Sequence, residues 1–533
     1  MAQRNPVNVA VVGHTNTGKT SLLRTLTRDT QFGEVNNAPG TTRQVAGAAH
    51  GLNGQVALVW FDTPGLEDSV ALRDWVESPE SLGPSATLSA LPKQDLPLPN
   101  TTQTAQTLPF SQASTRLDGP QKIQRFLDSP LAHTRFEQEA RVLEKVLSSD
   151  AVLYVIDARD AVLAKHRDEL SLLSACAKPV IAVLNFTAPA SNGRTSHVDQ
   201  WLEALARQGL HVNVLFDTVS PALDAERGLF EALAQVLPKQ RLLFSELIEQ
   251  TQAARITRRT RAFELIAELI VDLAAWRLQS ADNEAARAKA LATQQTRARA
   301  REQQCVDGLL MTYAFSRHDV LNMPLTLTQG RWQTDLFAPE ALREVGIEIT
   351  KGAAAGALAG AAVDVITGGL SLGAGTLIGA ATGAGWQGLE RWGGQFLGKV
   401  RGYRELTVDD AILKLLTLRQ LQLLQALERR GHAAIAPVSM QNNPSLAETL
   451  TPFATAVNTG IDAGSEAIPR TDSVADAGAG ANQAKVFIKT VRLARQHPDW
   501  SSLHGTPHTS GARDRAVGVL TEAFEANTAL INA

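Results

Sequence analysis

Gly13, Gly18, Lys19 and Thr20 fit the spacing G-x-x-x-x-G-K-[ST] within the stretch GHTNTGKTS. Those residue types at that spacing bind phosphate. Glycines let backbone N–H groups turn inward around an anion, and a helix starting at the same point aims its positive end at it. Lys19 would neutralise charge on the β- and γ-phosphates, and the Thr20 hydroxyl would ligate Mg²⁺. Further along, DTPG (Asp62–Gly65) supplies an acid that reaches the metal through water and a glycine amide that senses a γ-phosphate. Between the two lies PGTTR (Pro39–Arg43), suited to a loop whose threonine closes on the metal.

Strand-like runs must hold these pieces. The apolar run VNVAVV (Val7–Val12) reads as a buried strand, and Ser21–Thr27 as the beginning of a helix. VALVWFD (Val56–Asp62) is a second strand that delivers Asp62. Beyond, Arg135–Asp150 predicts a helix, Ala151–Asp157 a strand, Ala158–Cys176 a helix and Pro179–Asn185 a strand. A last passage of helix and strand runs through Val212–Phe216 to about Pro238. This alternation predicts an α/β fold with a mainly parallel sheet and helices on both faces.

With these motifs in order, residues 6–65 and about 140–237 resemble a translation-factor-class GTPase, most closely the TrmE–Era branch. The resemblance implies GTP as substrate, Thr20 and Thr42 as Mg²⁺ ligands, Asp62 reaching the metal through water, and Gly65 on the γ-phosphate. Gly13, Asn16, Thr17, Gly18, Lys19, Thr20 and Ser21 would cradle the nucleotide, with Lys19, Thr42 and Gly65 closest to the chemistry. Asn16 stands where TrmE-like members use an asparagine to hold K⁺; its plainer reading is a turn residue satisfying local backbone.

The pattern departs from that family in two places, and at a third residue it differs from many signalling GTPases. Leu66 follows DTPG where many signalling GTPases carry a water-orienting glutamine, and a leucine cannot hold water. Glu67 and Asp68 are the nearby candidates for that task, or simply solvated switch charges. Guanine recognition usually rests on N-K-x-D, but here the strand leads into NFTA. Asn185 matches and is a base-edge candidate, Phe186 offers a stacking face, and Ala188 lacks the discriminating carboxylate. Asp217 is a substitute candidate or a helix cap. Lastly, Ser78–Ser114 is rich in Ser, Thr, Pro and Leu without periodicity, and reads as a disordered insertion in the second switch.

From about 240 no strand alternation is visible, and the chain reads as mainly α-helical. Arg261–Trp276, 281–304 and Asp409–Gly431 carry helical patterning or helix-forming composition. Arg255, Arg258, Arg259 and Arg261 form a basic turn that suits RNA or lipid headgroups, or a solvated helix face. Gly352–Trp386 repeats glycine every four residues and reads as a close-packed hairpin, either against a membrane surface or inside the helical domain. Each arm is shorter than the ~20 residues of a full span. His497, His504 and His508 lie in a Pro/Gly loop without the acids or thiolates of a metal site. This half resembles an uncharacterised domain that follows a GTPase domain in some bacterial proteins, and that resemblance brings no activity.

The expected organisation is a P-loop domain over 1–240 with its insertion at 78–114, then a helical domain over 241–435 containing the hairpin at 352–386. A flexible linker over 436–483 and a helical segment over 484–533 follow. At 533 residues two or three domains are expected, and a net charge of −3 gives no global pull towards nucleic acid or anionic lipid. Two cysteines, Cys176 and Cys305, supply neither a disulfide framework nor a cysteine zinc site. No secretion signal is visible, so a cytoplasmic location, peripheral to the inner membrane face if the hairpin binds lipid, is expected. Three outputs stay open: a nucleotide switch acting on a protein partner through the helical domain, a nucleotide-gated membrane protein, and an RNA- or ribosome-binding GTPase. RNA is the least supported, because no RNA-binding module follows.

Overall fold

A computed structural model describes residues 5–29, 32, 45–78, 117–187, 196–315, 317, 327–328, 331–332, 335–337, 403–431, 476–505 and 511–529. The chain divides into two compact units, Met1–Thr251 with Arg430–Ala434, and Gln252–Arg429 with Ile435–Ala533. The expected switch loop Pro39–Arg43, the insertion at 78–114 apart from Ser78, and the glycine hairpin lie outside the described residues, as does Thr42.

The first unit is built on strands β1 (Val7–Val12), β2 (Ala46–Leu52), β3 (Gln55–Asp62), β4 (Ala151–Asp157), β5 (Val180–Asn185) and β6 (Asn213–Leu215). They form one sheet in the order β2-β3-β1-β4-β5-β6. Only β2 and β3 are antiparallel. Their connection is the pair Asn53–Gly54, both left-handed, which matches the twist of a tight hairpin. Strands β1, β4 and β5 are apolar and buried almost throughout, as strands covered on both faces must be.

Alternate residues of these strands feed two separate cores. On one face Val9, Val11, Leu153, Val155, Ile181 and Val183 meet α1 (Lys19–Thr27), α7 (Ala225–Val236) and the start of α8 (Arg241–Ala275). On the other, Ala10, Val12, Val152, Tyr154, Ala182 and Leu184 meet α2 (Ser69–Glu77), α3 (Gly119–Leu127), α4 (Glu137–Ser148), α5 (Ala164–Ala175) and α6 (Val198–Arg207). The expected α/β fold is present. Helix α5 begins six residues later than its pattern suggests. Asp157 accepts the Arg159 backbone N–H at 2.9 Å, a local turn that competes with helix.

The first unit also recruits a short piece from far along the chain. The Gly431 N–H donates to the Val219 carbonyl at 3.0 Å, and a Cβ at Gly431 would lie 1.8 Å from the Thr218 oxygen. Only glycine fits that approach.

The second unit is mainly helical, as expected. Among the described residues an apolar core gathers side chains of α8, α9 (Glu284–Thr312), α10 (Asp410–Glu428), α11 (Asp476–Gln496) and α12 (Gly511–Ala529). Buried Asp272 accepts from Arg301 Nε at 2.7 Å, Arg513 Nη2 at 3.1 Å and the Ser502 hydroxyl at 2.9 Å, tying four stretches of chain together. Two expectations are corrected here. Strands do occur beyond residue 240: β7 (Arg277–Ala281) pairs antiparallel with β10 (Tyr403–Thr407), and β8 (Leu327–Thr328) with β9 (Arg331–Trp332). They are too short and too mixed in character to show alternation, and the β7 partner is remote in sequence. In addition, helix begins at Asp476, inside the stretch read as linker, because Gly478 and Gly480 mimic a linker while the alanines favour helix.

Candidate functional site

The carboxyl ends of β1, β3 and β5 bring together the residues that the motifs singled out, at the edge where open α/β sheets bind ligands. The loop after β1 turns sharply enough to put Asn16 at φ 65° and Gly18 at φ 91°. A Cβ on Gly18 would lie 2.3 Å from Asn185 Nδ2, so both the turn and the neighbour demand glycine. Helix α1 starts at Lys19 and directs its unpaired N–H groups into this loop.

Lys19 is buried and bent back over the loop, its ammonium donating to the carbonyls of Gly13 at 3.1 Å and His14 at 2.8 Å. Burial lowers its pKa to about 8, against the pull of Asp62, Glu169 and Glu67. Thr17 Oγ1 donates to the His14 carbonyl at 3.0 Å, and the Ser21 carbonyl accepts from Thr25 Oγ1 at 3.0 Å.

Thr20 Oγ1 donates to Asp62 Oδ2 at 2.6 Å. Burial pushes the Asp62 carboxyl above the usual range, opposed by the Thr20 hydrogen bond and by Lys19. Its other oxygen, Oδ1, is buried without a hydrogen-bond partner. A hydroxyl beside an acid whose second oxygen is orphaned suits a hard, hydrated divalent cation, so Thr20 and Asp62 fit Mg²⁺. Among the described residues no group of three or more His, Cys, Asp or Glu side chains is placed to hold a metal. His497 stacks on Trp500 at 4.6 Å between ring centroids, His504 Nε2 accepts the Arg277 N–H at 3.4 Å, and His508 lies outside the described residues.

The end of β3 lies close against the phosphate loop. A Cβ at Gly65 would stand 2.3 Å from Thr15 Oγ1, and the Leu66 N–H donates to the Gly13 carbonyl at 3.3 Å. The Leu66 side chain is fully buried in the core, away from any reacting water. Neither candidate for the missing water-holder is idle. Glu67 Oε1 accepts from Thr15 Oγ1 at 3.0 Å, and Asp68 pairs with Arg135 at 3.0 Å. Buried Glu139 accepts both of their backbone N–H groups.

Asn185 works between loops. Its Nδ2 donates to the Thr17 carbonyl at 2.9 Å, and its Oδ1 accepts from the N–H groups of Phe186 and Thr218 at 2.8 and 2.9 Å. Phe186, left-handed at φ 55°, lays its ring near Gly18 and under the Arg159 guanidinium at 3.9 Å. Asp157 holds that guanidinium through Nε at 2.9 Å and Nη2 at 2.6 Å. Asp217 Oδ1 caps the turn that follows it, accepting from Val219 N and Ser220 N, whereas α7 is preceded by Asp224.

Sequence reasoning passed over His14, Arg159, Glu139 and Glu169, all of which touch this site. His14 occupies a variable position of the motif, and its partner Glu169 is 155 residues away. The one usable signal was that His14 is a titratable residue bordering the apolar strand β1; Glu169, in the middle of α5, carried none.

Residues 8–82 match the family described as "50S ribosome-binding GTPase". Among solved structures, the chain is 18% identical to a variant of Aquifex aeolicus Era bound to GDP and aluminium fluoride, covering 44% of this chain and 58% of that one, TM-score 0.28. It is likewise 18% identical to Era in complex with MgGDPNP and a stretch of 16S ribosomal RNA, covering 43% and 56%, TM-score 0.27. The G domain of the T. maritima FeoB iron transporter is 18% identical over 44% of this chain and 99% of its own, TM-score 0.22. The chain therefore spans little more than half of either Era structure. No curated protein matches it. The first unit is a P-loop GTPase domain that binds GTP. Residues 202–521 match a second family, described as "Domain of unknown function (DUF3482)", and by that match over more than half its length the chain belongs to this family.

Proposed function

We propose that the protein is a Mg²⁺-dependent nucleotide switch in which GTP hydrolysis by the first unit sets the state of the helical unit. One observation carries this reading: the buried Thr20–Asp62 pair at 2.6 Å, with Asp62 Oδ1 orphaned and Lys19 folded over the same loop. The α1 N-terminus and the loop N–H groups hold the phosphates, and Lys19 takes up charge as the terminal phosphate separates. Thr20 and Thr42 would ligate Mg²⁺, with Asp62 behind a bound water; when present the ion neutralises the β- and γ-phosphate oxygens. The Gly65 amide reports the γ-phosphate. Attack by water in line needs positioning rather than covalent chemistry from the protein. Asn16, exposed and left-handed at φ 65°, is the candidate ligand for an activating K⁺, and equal turnover in sodium and potassium would remove that part.

Membrane association through the glycine hairpin is the second reading. No helix among the described residues is long and apolar enough to cross a bilayer, so the reading rests on sequence 352–386 alone. Flotation with liposomes, with and without nucleotide, tests it. RNA as partner comes from the names of the matched family and of one Era complex. In the basic turn of this chain, Arg259 is held by Glu428 at 2.7 and 2.6 Å, and Arg261 by Glu264 at 2.8 Å.

The central test is calorimetry of GTP and ATP on the full chain, with Lys19→Ala and Ala188→Asp alongside. We expect Lys19→Ala to lose triphosphate affinity about a hundredfold or more, and Ala188→Asp to sharpen the preference for GTP. Unchanged triphosphate affinity in Lys19→Ala would overturn the reading, and tighter binding of ATP by the parent chain would overturn its guanine part.

A further inference from the structure

The residue after the Asp62–Gly65 motif is held by its backbone, and the side chain that holds it is His14. Its Nδ1 lies 2.7 Å from the Leu66 carbonyl and 2.9 Å from Glu169 Oε1. Both neighbours are acceptors, so Nδ1 carries the proton. On the opposite side of the ring, Nε2 lies 2.8 Å from Lys165 Nζ, a donor, so Nε2 accepts. These partners select one neutral tautomer. Glu169 is fully buried and is itself fixed by the Tyr154 hydroxyl at 2.6 Å. The His166 ring stands edge-on to His14 at 6.0 Å.

We propose that His14 is the positioning residue of the second switch: its Nδ1–H, aimed by Glu169 and Lys165, sets where the Leu66–Glu67 peptide stands beside the phosphate loop. The reasoning rests on the GTPase reading above. Leu66 has its side chain in the core and so offers the reacting water nothing. What remains for this segment to contribute is the placement of backbone, and a placement error of about 1 Å is worth roughly a hundredfold in rate. Both backbone polar groups of Leu66, one from each of its flanking peptides, go to the phosphate-loop segment: the N–H to the Gly13 carbonyl and the carbonyl to His14. The Gly13 contact is backbone to backbone and any residue could make it; the His14 contact is a feature of this sequence. Downstream, Glu139 takes the N–H groups of Glu67 and Asp68, and the Lys165 carbonyl accepts from Ser69 Oγ at 3.2 Å. The segment is thus stapled residue by residue from Leu66 to Ser69, with His14 as its first staple.

An amide pair separates this role from general packing. The side-chain nitrogen of asparagine falls near Nδ1 of histidine, and that of glutamine near Nε2. In the full chain His14→Asn should keep the bond to the Leu66 carbonyl, and His14→Gln should lose it. Single-turnover GTP hydrolysis and the affinities for GDP and a non-hydrolysable GTP analogue are measured for both and for the parent. We expect His14→Gln to slow hydrolysis about ten- to a hundredfold and to lose preference for the triphosphate analogue over GDP. GDP affinity should be unchanged, and His14→Asn should recover most of the rate. Equal rates and equal triphosphate preference in the two variants overturn the proposal. If His14→Gln does not fold, Glu169→Leu, which removes the acceptor that aims the ring, must show the same split between rate and GDP affinity, and its absence overturns the proposal equally. A parent chain that binds GDP but never hydrolyses GTP removes the underlying reading, and this inference with it.

Discussion

A single atom decides whether residue 18 can be anything but glycine. With φ at 91° and Asn185 Nδ2 at 2.3 Å from a would-be Cβ, Gly18→Ala must either unwind the loop or expel Asn185 from between Thr17 and Thr218. Left-handed backbone alone costs roughly 1–2 kcal/mol for a residue with a Cβ. We expect at least that loss in the unfolding of the first unit and a large drop in GTP affinity, read by thermal melts with and without nucleotide. This part of the site was legible in the sequence, because phosphate binding by backbone forces particular residue types at particular spacings. The tasks of Asn185 were not. Its side chain spends both amide atoms linking two loops, a role that sequence could not separate from contact with the base edge. His14 was invisible for a related reason: its function depends on an acid and a lysine on α5, and no local pattern encodes such a meeting.

Elements followed their periodicity where burial is one-sided or complete, and departed where pairing is remote. Strands β1, β3, β4 and β5 are apolar runs bounded by turn residues, and they lie where the pattern put them. Ribbon β7–β10 joins Arg277–Ala281 to Tyr403–Thr407, and neither half carries enough apolar alternation to declare itself. Polar residues inside the helical core also escape a reading based on hydrophobic faces. Glu302 on α9 is buried, with Arg419 of α10 at 3.6 Å, and burial raises its pKa to about 7 despite that cation. In the unfolded chain the same group ionises near 4.5. Between those values the folded state holds a proton that the unfolded state has released, so stability falls as pH rises from about 4.5 to 7 and stays reduced above. The helical unit should be more stable at pH 5 than at pH 8 by on the order of 2–3 kcal/mol from this group. Glu302→Gln should flatten that difference in denaturant titrations at the two pH values. An unchanged pH slope in the variant would assign the dependence to other groups.

At the scale of the whole chain, length pointed to more than one domain; the two units part after Thr251, close to where α/β alternation gives way to helix, whereas the second family match begins earlier, at residue 202. What composition did not foretell is that the chain visits its first unit twice, leaving after Thr251 and returning for Arg430–Ala434. The return is anchored on the Thr218–Val219 turn, which Asn185 links to Thr17. Gly431→Val would drive a side chain into the Thr218 carbonyl. We expect that variant to weaken GTP binding while leaving residues 13–21 untouched, measured by calorimetry and by hydrogen exchange at 217–220. Wild-type affinity and exchange would show that the turn tolerates displacement.

The return at Gly431 also bears on what counts as the smallest autonomous piece. The bond from Gly431 to Val219 closes a circle of chain more than two hundred residues long, a costly closure that only a folded circuit offsets. A polypeptide cut after Thr251 would keep the nucleotide-gripping loops yet leave a vacant slot beside the turn they lean on. Restoring it would take a peptide added in trans, or a permuted gene that splices 430–434 directly onto the excised fragment.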